Sequence, residues 1–187
     1  MAHGQQQGFL FSLKARFPER FTNCSVLDVG SMDINGTNRV LFTEPYQYVG
    51  LDLAPGKNVD LVCHGADYQK GQFFDVVITT EALEHDRRWR ETLITCVDMV
   101  RPGGMLIITC AGPGRPEHGT TDHTPDDSPA TNDYYHPLSS HDLVEEITRV
   151  FQTGPFPFAS WGAEEHTLIS EDTYLWAFKK VNHEQSN

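Results

Sequence analysis

The run Phe73-Phe74-Asp75-Val76-Val77-Ile78-Thr79 narrows the fold of this 187-residue chain more than any other segment. Its centre shows no polar alternation, so a strand here has two apolar faces and needs cover on both sides. Met105 to Cys110 reads as a second such strand, and Ser25 to Val29, Tyr46 to Leu53 and Val59 to Cys63 are further strand candidates. Apolar residues at Phe9, Leu10, Leu13 and Phe17 have helical spacing and predict a helix over about 8–20. Trp89, Leu93, Val97 and Val100 predict another over Arg87–Val100, which Arg101-Pro102-Gly103-Gly104 ends. Ala111 to Pro137 is rich in Gly, Pro, Asp, Thr and His, and an irregular stretch of that length inside a compact domain is usually functional. Ser139 or Ser140 suits the cap of a helix running to about Phe151, and strands are expected near Phe156–Trp161 and Thr173–Val181. Strands alternating with helices predict an α/β domain with a largely parallel sheet, read as a single domain over 1–187 with a polar tail at 182–187.

Charge limits the partners. Asp and Glu outnumber Lys and Arg by 26 to 14, for a formal net charge of -12. Such a chain repels the phosphate backbone of nucleic acids and an anionic membrane surface. Arg87, Arg88 and Arg90 are the densest basic group, and Asp86 and Glu91 interrupt it. Cys24, Cys63, Cys96 and Cys110 lack the short spacings of metal knuckles or redox pairs and read as reduced, buried thiols. The polar start, Met1-Ala2-His3-Gly4-Gln5, has no signal-peptide pattern, and no apolar run approaches the roughly 20 residues that span a bilayer. A cytoplasmic setting is expected.

The strand Val26-Leu27-Asp28-Val29 runs into a turn at Gly30-Ser31-Met32. Glycine lets the backbone bend tightly and approach a ligand, and a helix starting after such a turn offers free amides. Gly30 and Gly36 are separated by five residues, so the pattern is not G-x-G-x-x-G and also fits a plain structural turn. Gly50-Leu51-Asp52 closes the second strand. An acidic residue about 20 positions beyond the glycine turn suits the two hydroxyls of a ribose. NAD and S-adenosylmethionine (SAM) sites share that feature, and an Asp capping the Ala54-Pro55-Gly56 turn is the bland alternative. Asp67 in Gly65-Ala66-Asp67-Tyr68 suits either the exocyclic amine of adenine or a helix N-cap.

Taken in order, five segments resemble one family. They are Val26-Leu27-Asp28-Val29-Gly30-Ser31, Val49-Gly50-Leu51-Asp52, Phe74-Asp75-Val76-Val77-Ile78, Glu81-Ala82-Leu83-Glu84-His85 and Val100-Arg101-Pro102-Gly103-Gly104-Met105-Leu106. The series resembles the class I SAM-dependent methyltransferases, closest to the small-molecule branch with an E-x-L-E-H segment, over about residues 25–110. The resemblance implies a Rossmann-like three-layer fold whose seven-stranded, mostly parallel sheet has an antiparallel last strand. It implies SAM as cofactor and a small polar molecule as methyl acceptor. Gly30, Ser31 and Met32 would face the methionyl part, and Asp28 would orient the turn or meet the ammonium through water. Asp52 would hold the ribose, Leu53 would pack on adenine, and Asp67 would read its edge. Thr80, Glu81 and His85 would complete the rim. Met32-Asp33 stands where the family's second glycine is usual, so a rebuilt turn is expected, with Asp33 or Asn35 near the methionyl group.

Methyl transfer from a sulfonium is an in-line displacement, and the protein mainly positions two reactants. A hydroxyl or protonated amine acceptor also needs a base. Glu81, His85 and His118 are the catalytic candidates, with His123 and His136 as further bases. Arg115 suits an acceptor carboxylate or phosphate, and His123, Tyr134, Tyr135 and His136 are candidate acceptor contacts. No metal is required, although His118, Asp122, His123 and His136 have the residue types to collect a divalent ion. Two other readings stand beside the enzyme: a non-catalytic SAM-binding domain, and an NAD-dependent oxidoreductase, which the later motifs disfavour.

Overall fold

The structure, a computed structural model, describes residues 4–69, 71–151, 156–166 and 171–181. One sheet contains β1 (Ser25–Val29), β2 (Gln47–Asp52), β3 (Leu61–Val62), β4 (Phe74–Thr80), β5 (Val100–Ala111), β6 (Phe158–His166) and β7 (Asp172–Lys179). Its seven strands lie in the order β3-β2-β1-β4-β5-β7-β6. The pairings from β3 through β5 are parallel, and β7 runs antiparallel to both β5 and β6. This is the expected seven-stranded sheet, with its antiparallel strand last in the chain.

Period-two side-chain direction splits the core in two. Leu27, Val29, Val77, Leu106 and Ile108 face α2 (Trp89–Met99) and α3 (Ser140–Val150) through Trp89, Leu93, Val97, Leu143 and Ile147. Val26, Val76, Ile78, Met105 and Ile107 face α1 (Gly4–Arg16) through Phe9, Leu10 and Leu13. Those two covers make the three layers. Burial at 25 cal/mol per Å² of apolar surface is the main force behind such layers, at about 2 kcal/mol per large side chain. α3 starts at a capping box in which Ser139 and Asp142 satisfy each other's backbone amides. No helix among the described residues is long and apolar enough to cross a membrane.

Several boundaries differ from the sequence reading. α1 begins at Gly4 rather than near residue 8, and it stops at Arg16 rather than 20. Pro18 bars the helical conformation at Phe17, and a short 3-10 turn, Pro18–Arg20, follows instead. Arg101-Pro102-Gly103-Gly104 does not precede the fifth strand but bulges out of it. Val100 already pairs with Phe74, and the next partners are Val76 and Met105. Gly103 takes φ +76, which a residue with a side chain rarely adopts. No α-helix follows β1. Asn35-Gly36-Thr37-Asn38 favours turn over helix, and only a 3-10 turn, Asn38–Leu41, forms. The tail 182–187 lies outside the described residues.

One carboxylate ties the strand beginnings together. Oδ2 of Asp75, at the start of β4, accepts the Ser25 amide at 2.8 Å, the Ser25 hydroxyl at 2.8 Å and the Tyr46 hydroxyl at 2.6 Å. Its other oxygen pairs with Arg101 of β5. Burial alone would raise this carboxyl, but Tyr46, Ser25 and Arg101 together hold it below the ordinary carboxylate range. Asp75→Ala leaves several of these donors unpaired, so a loss of roughly 2–4 kcal/mol is expected in urea unfolding, with Asp75→Asn losing less. Equal stability of Asp75→Ala and the parent chain would refute this account.

Candidate functional site

The parallel strands β1, β2 and β4 end side by side, and a cleft of about 350 Å³ opens across their carboxyl ends. Open α/β sheets bind ligands at such an edge, where the strands diverge into loops. Asp28, Gly30, Ser31, Met32, Asp52, Leu53, Thr80 and Glu81 all line it. Asn35 also lines it and donates to Asp127 across the opening at 3.2 Å. Asp33 does not line it. Its carboxylate accepts the Gly36 amide at 2.9 Å and pairs with Lys57 at 2.6 Å, turned away from the cleft.

The glycine turn is stitched to β2. The amides of Gly30 and Ser31 both donate to the Leu51 carbonyl, at 2.9 and 3.0 Å. Gly30 has φ +78, and a Cβ built there would lie 2.4 Å from Cβ of Ala82. A side chain at this position would therefore both strain the turn and displace the segment after β4. The Asp52 carboxylate accepts the Met32 amide at 3.0 Å and its neighbour Leu53's amide at 2.7 Å. Each carboxylate oxygen has a second lone pair, so Asp52 keeps acceptor capacity toward the cleft.

Asp28 is buried at the floor. It accepts the Tyr48 hydroxyl at 2.6 Å and the Asn38 amide at 2.9 Å, and Asn38 also donates to Thr80 at 3.0 Å. Burial pushes its carboxyl up to about 6, against the opposing pull of those two donors. Glu81 closes the far wall with φ +51, a left-handed conformation that costs about 1–3 kcal/mol and tends to cluster at functional sites. Its Oε1 accepts the Thr109 hydroxyl at 2.9 Å. Burial and the nearby charge of Glu84 push this carboxyl up to about 8.

Glu84 and His85 follow on a 3-10 turn, Leu83–His85. Glu84 is fully buried and accepts the Ala111 amide at 3.1 Å, with its carboxyl raised by burial. His85 lines the cleft, and burial lowers its ring to about 4. His118 and Tyr135 pack against it at 5.2 and 5.5 Å between ring centres. His118 is likewise lowered to about 4 by burial, but it stands behind His85, outside the cleft lining.

Several expected contacts lie elsewhere. Asp67 is outside the cleft, held by both guanidinium nitrogens of Arg88 at 2.9 Å. His64, Gly65 and Cys63 line the cleft from that side instead. His64 accepts the Ala66 amide on Nδ1 and faces Asp86 with Nε2 at 3.2 Å, so Nε2 carries the proton. Arg115 is committed to Asp172 at 2.6 Å, a carboxylate with no solvent exposure, and does not line the cleft. Tyr134 packs under the Arg87 guanidinium at 4.9 Å, and Tyr135 donates to the Arg115 and Pro116 carbonyls. The His136 backbone donates to the Glu84 carbonyl, and His123 is exposed beside Glu117. None of these four lines the cleft. Of the long loop, Asp127 to Thr131 do so, a segment with no motif to announce it. The possible metal set His118, Asp122, His123 and His136 is not brought together: among the described residues the cluster with metal-binding geometry is Glu84, His85 and His118. Cys24, Cys96 and Cys110 are buried as expected, whereas Cys63 is half-buried at the cleft.

No protein-family model matches the sequence, and no curated protein is similar to it. Solved structures are similar in fold. The N-methyltransferase NodS of Bradyrhizobium japonicum WM9, in complex with S-adenosylhomocysteine, aligns with a TM-score of 0.61 at 13% identity over 94% of this chain and 87% of that one. The 1,6-didemethyltoxoflavin-N1-methyltransferase of Burkholderia thailandensis, with 1,6-didemethyltoxoflavin and S-adenosylhomocysteine bound, gives 0.63 at 14% identity over 93% and 77%. A SAM-dependent methyltransferase from Mesorhizobium loti gives 0.63 at 15% identity over 90% and 96%. At these identities the likeness is one of architecture: the chain has the Rossmann-like fold that these methyltransferases share.

Proposed function

We propose that this chain is a SAM-dependent methyltransferase that moves a methyl group to a small polar acceptor, of the branch with an E-x-L-E-H segment. The observation that carries the reading is one cleft with a carboxylate at each of two points that an adenosyl sulfonium needs, Asp52 beside the turn and Asp28 in the floor. Gly30 sets the shape of the turn that lines this cleft, because a Cβ there would collide with Ala82. The acidic wall suits a cationic ligand, since every charged residue lining it is a carboxylate. The similar folds that hold S-adenosylhomocysteine support the choice of nucleoside over NAD. Four free thiols fit a cytoplasmic setting.

Residue roles follow from position. Asp52 takes the ribose hydroxyls, with Leu53 beside the adenine. His64 and Gly65 take the adenine edge that the sequence assigned to Asp67. Gly30, Ser31 and Met32 face the methionyl part, and Asp28 meets its ammonium. When bound, SAM would supply an electrophilic methyl: the acceptor's lone pair would form the new bond, and the electron pair of the broken carbon–sulfur bond would stay on sulfur. Thr80, Glu81 and His85 bound the acceptor end, and Asp127 to Thr131 cover it. Holding the two reactants in line is worth several kcal/mol of the barrier, on the order of 7–11 in the best-oriented cases.

Calorimetry with S-adenosylhomocysteine tests the reading. The parent chain should bind it, and Asp52→Ala should bind roughly 10- to 100-fold more weakly, as expected for loss of charge-assisted hydrogen bonds. A folded chain that ignores S-adenosylhomocysteine at millimolar concentration would sink it.

Asp28 adds a pH signature. Its folded value of about 6 lies above the ordinary 3.8, so the folded chain holds this proton more tightly than the unfolded one. The resulting stability is complete below 3.8 and is lost as pH rises through about 6. It amounts to at most about 3 kcal/mol. A ligand ammonium favours the ionised form, so S-adenosylhomocysteine affinity should rise over the same window. Both slopes should flatten in Asp28→Asn, measured by urea melts and calorimetry at stepped pH.

A further inference from the structure

Oε2 of Glu84, Nδ1 of His85 and Nε2 of His118 are buried and have no hydrogen-bond partner. Leaving such a group unpaired is unfavourable, and buried polar groups are normally satisfied. These three residues stand together: one ligand atom from each lies within 4.8 Å of the others. We propose that Glu84, His85 and His118 bind a divalent transition-metal ion behind the acceptor end of the cleft.

The surroundings are those of a built site. Nδ1 of His118 lies 3.1 Å from the Pro116 carbonyl, so its N–H donates there and the lone pair is left on Nε2. Metal-binding imidazoles are commonly oriented by such a carbonyl on the opposite nitrogen. The Glu84 side chain is fixed by the Ala111 amide, and its backbone carbonyl by the His136 amide. Tyr135 packs against both histidine rings. Gly119 has φ +63, and a Cβ there would lie 2.7 Å from the His85 ring, so glycine lets the loop carrying His118 close onto His85. The charge of the neighbouring Glu81, whose Oε2 is also buried and without a partner, acts on the same surroundings. Two imidazoles and a carboxylate suit Zn²⁺, Co²⁺, Fe²⁺ or Mn²⁺, whereas Mg²⁺ and Ca²⁺ prefer all-oxygen sets.

The site does not depend on the methyl-transfer reading and is tested apart from it. Tag-free chain stripped with a chelator and titrated with Co²⁺ should take up one ion and develop visible absorption. Zn²⁺ should displace that ion, and Mg²⁺ should not. His118→Ala, a change in a loop rather than the core, should weaken Co²⁺ by at least roughly 100-fold. His141→Ala, at an exposed histidine on α3, should leave it unchanged. Absence of stoichiometric Co²⁺ in the parent chain, or equal affinity in His118→Ala, overturns the site. S-adenosylhomocysteine titrated into the same samples separates the two ideas. Nucleoside binding without Co²⁺ overturns the metal site alone. Co²⁺ uptake lost in His118→Ala supports the site whether or not the nucleoside binds.

Discussion

The structure depends on two central strands that have no solvent face. β1 and β4 are covered on one side by α1 and on the other by α2 and α3, so their interior positions are almost all apolar. Charged chemistry is thereby expelled to the strand ends. At the amino ends Asp75 is consumed by structural bonds to Ser25, Tyr46 and Arg101. At the carboxyl ends Asp28, Asp52 and Glu81 project toward one opening. Parallel pairing makes this asymmetry inevitable, because it brings like ends of neighbouring strands to the same edge.

That constraint explains what the sequence disclosed. Unbroken apolar runs marked the strands, and glycine or aspartate at their ends marked the cleft, because both signals are local. The failures are of two kinds. The crossover after β1 is a turn rather than a helix, since Asn35 to Asn38 bond their own backbone more readily than they extend a helix. Asp67 stands in the expected segment, but its carboxylate is claimed by Arg88, 21 residues away. Arg115 is likewise claimed by Asp172, 57 residues away. No window of neighbouring residues reveals which charge has already found a partner. His64 and Asp127 to Thr131 were invisible for the same reason: their place at the cleft comes from tertiary packing and not from a motif.

The acids at this edge do not share one state. Asp28 has two donors yet is pushed up by burial, so it titrates near neutrality. Glu81 and Glu84 are also pushed up by burial, Glu81 to about 8, and the charge of Glu84 also acts on Glu81. Such groups resist ionisation until a cation arrives, because each added negative charge in a low-dielectric pocket must be offset locally. An adenosyl sulfonium with its ammonium offsets Asp28. A divalent ion offsets Glu84 and, through it, Glu81. The two proposed ligands thus answer two separate electrostatic deficits in adjacent parts of the same edge.

The loop after β5 decides how those parts meet. Its first portion is anchored by Arg115 to the buried Asp172 of β7 and by Tyr135 to the Arg115 and Pro116 carbonyls. Those anchors fix His118 against His85. The later portion, Asp127 to Thr131, spans the cleft with an exposed side-chain bond from Asn35 to Asp127. A bond between exposed polar side chains contributes at most about 1 kcal/mol, whereas a buried ion pair resists opening far more strongly. On the proposed function, an opening that admits an acceptor would belong to the 127–131 segment, with the histidine cluster held in place.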